Sequence, residues 1–197
     1  MHRTLWYVAA SLALVGALLI PGAAPAQANN WGGGVSDTGC DSDISRGDGA
    51  AYFFYYEGVN DPMREATNHI RNTELDPTDI NTSVDNSSDE ETDVVVHQDN
   101  YGDGNAYCGY NWHPNGIIGL ATCRSQNAAN SCRRHDTWYD SSWTSAHGTA
   151  AQRALACHET GHAVGLQHWG PDCLADPIVT SQNSLDGHAV NHINNNY

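Results

Sequence analysis

The chain has 197 residues, six Cys, no Lys, and eight Arg against 23 acidic residues, for a formal net charge of −15. A surface this acidic repels nucleic acid and anionic membranes, which removes both from the candidate partners. The length suits one domain around a single core and is too short for two.

Taken in chain order, Arg3 precedes an unbroken apolar run from Leu5 to Ile20, ended by Pro21 and followed by Ala26-Gln27-Ala28. Basic start, apolar middle and small residues at a cleavage spacing describe a secretory signal peptide over 1–28. A membrane-spanning helix wants about 20 apolar residues, and Pro21, Gly22 and Pro25 cut this one short. No Cys lies near the cleavage point, which argues against a lipid anchor. The mature domain is then 29–197, with seven Arg against 23 acids and a charge of −16. All six Cys fall inside it, an even count that implies three disulfides in an oxidising, extracellular setting. The absence of any C-x-x-C pair argues against a zinc ribbon and a redox motif.

Residues 29–49 are rich in Gly, Asp and Ser and read as an N-terminal loop or a short pro-segment. Ala50–Glu57 is dense in aromatics and short, a strand. Asp61 as cap and Pro62 in the first turn open a helix to about Leu75, with Met63, Ala66, His69 and Ile70 at helical spacing and Asp76-Pro77 as its stop. Strands follow at Asp79–Val84 and Val94–Val96, separated by a solvated acidic loop. A Gly- and Asn-rich loop precedes another strand at Ile117–Cys123, and a fifth is expected at His135–Ser141. From about Ala146 the run AHGTAAQRALACHETGHAV is the best helix of the sequence, with Ala150, Ala154, Leu155, Cys157, Gly161 and Val164 facing inward. A last helix is expected over Leu185–Asn195. This order gives an α+β domain with a mixed sheet.

Residues 158–168 read HETGHAVGLQH. A catalytic zinc takes three protein ligands and keeps one open position. Ligands four apart on a helix lie one above the other, so His158 and His162 can grip one ion. A continuing helix would carry a third ligand away. Gly165 can take positive φ and turn the chain, which brings His168 back to the same ion. Glu159 is rotated about a quarter-turn from His158 and points at the open position as a general base. Zinc lowers the pKa of bound water from about 15.7 to about 7, and Glu159 would take that proton and pass it to a departing amine.

The segment HETGHAVGLQH resembles the extended zinc signature HExxHxxGxxH of the metzincin clan of metallopeptidases. The phrases DVVVHQDNYGDG, ACHETGHAVGLQH and GHAVNHIN look like those of small secreted actinobacterial matrixin-like proteins. The resemblance implies a mostly parallel five-stranded sheet with an antiparallel edge strand, an active-site helix and a C-terminal helix. It also implies that Gly116–Cys123 is that edge strand and aligns the substrate. The clan's Met beneath the metal is missing: only Met1 and Met63 exist, and Leu174 falls where it is expected. Leu is close to Met in volume, so the exchange should cost little. No Tyr follows Leu174 before Tyr197, so the extra Tyr ligand of astacins and serralysins is not evident.

Six Cys permit 15 pairings. Cys157 with Cys173 would tie the metal helix to the segment around Leu174, Cys123 with Cys132 is the local pair, and Cys40 with Cys108 is what remains. A Cys40 that caps the zinc from a pro-segment is the rival, and the even count argues against it. His188 and His192 are four apart and form a possible second metal pair, but without Glu or a third ligand they read better as a packed helix face. Asp99, Asp103 and Asn105 offer oxygen ligands for Ca2+, weakly, since the EF-hand spacing is absent. The expected activity is that of a monomeric, secreted zinc endopeptidase acting on protein or peptide, with Zn2+ on His158, His162 and His168 and Glu159 as base. The alternative is a non-catalytic secreted binding protein that retains the zinc fold.

Overall fold

The computed structural model describes residues 46–101, 112, 116–127 and 131–197. The expected signal peptide, the rest of the segment up to residue 45, Cys40, Cys108, Asp103 and Asn105 lie outside the described residues.

Strand β1 (Ala51–Glu57) alternates, with Tyr52, Phe54 and Tyr56 turned into the core. Helix α1 (Asp61–Ile70) is capped by Asn60 and not, as the sequence suggests, by Asp61. The Asn60 side chain accepts the Met63 N–H at 3.1 Å, which places Asp61 and Pro62 in the first turn, where proline's missing N–H leaves no bond unmade. The expected helix continues to Leu75, but Arg71–Leu75 is a π-helical turn. Arg71 is buried there, and its guanidinium donates to Asn68 at 2.8 Å and Thr82 at 3.0 Å.

Strands β2 (Asn81–Val84), β3 (Val94–Asp99), β4 (Gly119–Gln126) and β5 (Cys132–Asp140) complete the sheet. β3 outruns its three valines because it stays in register with β5 through His97↔Trp138, Gln98↔Tyr139 and Asp99↔Asp140. A short helix α2 (Ser141–Ala146), not foreseen in the sequence, starts where the Asp140 carboxylate accepts the Ser142 N–H at 2.9 Å. It ends at Ala146, where the sequence suggests that the long helix starts, and α3 begins three residues later and runs Thr149–Ala163. Helix α4 (Gly187–Asn194) is capped by Asp186.

The result is a mixed α+β fold with a five-stranded sheet in the order β2-β1-β3-β5-β4. Every neighbouring pair is parallel except β4 with β5, so β4 is an antiparallel edge. Val94, Val95 and Val96 are all buried, as expected for a central strand covered on both faces. One core joins Phe54, Val94 and Val96 of the sheet to Met63 and Ile70 of α1 and Leu155 of α3.

On the opposite face Asp136 is 2% exposed between Arg134 at 3.2 Å, Arg124 at 3.5 Å and His97 at 3.7 Å. Burial alone would raise this carboxyl, but a hydrogen bond from His97 and the Arg134 and Arg124 guanidinium groups hold it below its usual value. The two predicted bridges within the described residues form: Cys123–Cys132 across the β4–β5 connection and Cys157–Cys173. Both fit an oxidising environment. No helix among the described residues is long and apolar enough to cross a membrane.

Candidate metal centre

α3 is buried on nearly every side, not on one face as its pattern of small residues suggests. Every residue from Ala154 to Ala163 is inside, while Ala150, expected to face inward, is exposed. A helix of Ala and Gly can lie this close to a sheet and a second helix because its side chains take little room. The cost is that its polar residues must find partners in the interior.

The helix ends in a Schellman arrangement. The Gly165 N–H donates to His162 O at 2.8 Å and the Leu166 N–H to Gly161 O at 2.9 Å, with Gly165 at φ +91°. The positive φ is the reason for glycine at this position. The chain reverses, and His168 returns to the helix it has just left.

The three imidazoles converge. His158 Nε2 lies 3.1 Å from His168 Nε2 and 3.1 Å from His162 Nε2. All three ligand nitrogens fall within 4.8 Å of one another. His158 Nδ1 donates to Cys173 O at 2.8 Å, and His162 Nδ1 donates to Leu166 O at 2.6 Å. A carbonyl can only accept, so each Nδ1 carries the proton and each Nε2 presents a lone pair. Burial lowers His158 to about 4 and His162 well below the usual value, so both are neutral at pH 7.

Two lone pairs facing each other at 3.1 Å repel, unless a cation sits between them. Nitrogens arranged tetrahedrally around zinc at about 2.0–2.1 Å are roughly 3.3 Å apart. The donor set therefore fits a divalent metal such as zinc. Among the described residues one other group could hold an ion, Cys123, Cys132 and His135, but both of its sulfurs are in the disulfide.

Glu159 follows the first imidazole and is 3% exposed. Burial pushes its carboxyl up to about 8. Among the described residues no hydrogen bond fixes the carboxylate. His168 is half exposed, with its Nδ1 3.8 Å from the Asp176 carboxylate, so the cluster opens to solvent on that side.

Leu174 packs against the same helix. A methyl on Gly161 would fall 2.6 Å from Leu174 Cδ2, so the glycine inside the motif makes room for it. The Cys157–Cys173 bridge, with Cα atoms 5.8 Å apart, and the buried Asp172, which accepts the Leu174 N–H at 2.8 Å and the Asp186 N–H at 3.2 Å, hold this segment in place. Asp172 is a site residue that sequence reasoning missed; an Asp two residues before Leu174 is a turn signal that could have found it. Tyr197 is engaged elsewhere: its hydroxyl bonds Tyr52 at 2.7 Å and Val164 O at 3.0 Å. His188 lies beside Trp169, and neither it nor His192 joins a group of three ligands among the described residues.

No protein-family model and no curated protein matches the chain. Among solved structures, that of myroilysin is similar with a TM-score of 0.35 and 14% identity, covering 72% of this chain and 54% of that one. This chain thus spans about half the length of that relative, and a likeness so slight supports no conclusion about activity.

Proposed function

We propose that this chain is a secreted zinc-dependent endopeptidase of metzincin type. His158, His162 and His168 would hold the ion, and Glu159 would serve as general base and acid. The observation that carries this reading is the convergence of three Nε2 lone pairs, two of them fixed by Nδ1 donation to backbone carbonyls, beside a buried carboxylate. A scaffold that only stored a metal would have no use for that carboxylate.

Bound zinc supplies Lewis acidity toward a carbonyl oxygen and toward water. A cation beside Glu159 favours its ionised form against the effect of burial. The ionised carboxylate accepts a proton from the attacking water at one oxygen and then delivers it to the nitrogen of the departing amine. Among the described residues no strand pairs with the outer side of β4, and an extended peptide can add there as a further strand, which suits unfolded protein as substrate. Leu174 stands in for the clan's Met by packing under the helix and touching no metal.

Wild type and Glu159→Gln, compared on casein with zinc content measured in parallel, test the reading. Equal zinc with cleavage only by wild type supports it. Equal zinc with no cleavage by either, across several unfolded proteins, favours the non-catalytic binding protein.

A further inference from the structure

We propose that Gly119 is a positioning residue for the Glu159 carboxylate: the missing side chain on the edge strand is what leaves the general base its place. This rests on the role just proposed for Glu159. Gly119 opens β4 opposite Tyr139 of β5. A methyl placed there would collide with Glu159 Oε1, and would lie 2.9 Å from Glu159 Cδ and 2.8 Å from Leu155 Cδ1. Real side-chain carbons do not approach that closely, so something must yield.

The need is for space and not for an unusual backbone. Gly58, Gly116, Gly165 and Gly170 adopt positive φ, and Gly119 does not. Its dihedrals suit any residue, and a small or β-branched residue would serve the strand better than glycine. What a side chain would disturb is the pair Leu155 and Glu159, one turn apart on α3. Leu155 is fully buried in the core, so its methyl can give by only a few tenths of an ångström. The carboxylate is the free end of a flexible chain, and among the described residues no hydrogen bond orients it. Its position is therefore set by shape, with the β4 backbone at Gly119 as one wall and Leu155 as another. Filling the first wall leaves the fold and the three imidazoles intact and moves the carboxylate away from its task.

Gly119→Ala is therefore expected to bind one zinc with affinity within about threefold of wild type, while kcat falls on the order of 100-fold and KM changes little, the usual result of displacing a catalytic group by about 1 Å. In metal-free protein the side-chain carboxyl 13C resonance of Glu159 should move in Gly119→Ala while the other Glu resonances stay. Glu159→Asp withdraws the carboxylate from the strand, so this substitution should cost far less in the Gly119→Ala background than in wild type. If Gly119→Ala does not fold, its combination with Glu159→Asp and Leu155→Val should, because Glu159 Oε1 and Leu155 Cδ1, the two side-chain ends that meet the methyl, are then both withdrawn. Wild-type kcat together with an unmoved Glu159 resonance overturns the proposal, and so does failure of both variants to fold. If Glu159→Gln itself retains cleavage, the functional reading fails, and the resonance shift in metal-free protein still reports on the contact alone.

Discussion

At Leu174 the interior of the site is filled by a side chain that a Met could replace. It is buried against Gly161, and its amide is held by Asp172. Exchange of Leu for Met keeps the volume, so Leu174→Met should cost under about 1.5 kcal/mol and leave metal content unchanged. Leu174→Ala opens a cavity under the helix and should cost about 2–5 kcal/mol. Urea denaturation of the metal-free proteins reads both, and equal effects would mean that the packing beneath α3 is not what supports it. At this scale the motif residues were legible, because ligand spacing is local: His158, His162 and His168 converge as their intervals require. Gly119 was not legible, since it matters through Glu159 on a distant helix; Asp172 left a local turn signal in its spacing to Leu174, but its second bond, from Asp186, lies beyond any local pattern.

For the element, what counts is how α3 ends and what ties it down. A non-glycine residue at φ near +90° is strained by about 1–2 kcal/mol, and Gly165 sits at +91°. Gly165→Ala should therefore destabilise by that amount. It should also weaken zinc binding at least tenfold, because the return of His168 depends on the reversal; isothermal titration with Zn2+ measures this. The Cys157–Cys173 bridge spans 16 residues, worth about 3 kcal/mol in the chain-entropy model. Cys157→Ser with Cys173→Ser should lower stability by up to that much. It should also loosen the carbonyl that orients His158, which would show as weaker metal binding beyond the stability change. The strands and long helices could be read from pattern and stop signals. α2 could not, because six residues are too few for a helical period. The cap at Asn60 was misassigned to Asp61 because both residue types cap, and only the bond to Met63 decides between them.

Across the whole molecule several of the few Arg residues are engaged by partners within the chain. Arg124 and Arg134 neutralise Asp136, Arg71 lies buried over Phe54, and Arg46 bonds Asn196 O at 2.5 Å beside Tyr197. Acidic residues still outnumber Arg by 23 to 8, and composition foretold that charge but not which residues pair. Asp93 feels it. Burial raises its carboxyl to about 6; a 2.7 Å bond from the Phe53 N–H opposes the rise, while Asp48 and Asp85 add to it. The folded state thus holds this proton more tightly than the unfolded chain does. The resulting stability is present below about pH 4 and lost as pH rises through about 6. Asp93→Asn keeps an acceptor for Phe53 and should flatten that slope, as urea midpoints from pH 4 to 7 would show; an unchanged slope would assign it to other groups. In the function proposed here, three imidazoles at one reversed helix end hold a single catalytic ion. A crystal structure of the purified protein, with diffraction recorded on both sides of the zinc absorption edge, is the decisive test. One anomalous peak is expected, bonded to Nε2 of His158, His162 and His168, with a non-protein fourth position near Glu159. No peak there, or a fourth protein ligand closing the site, would contradict it.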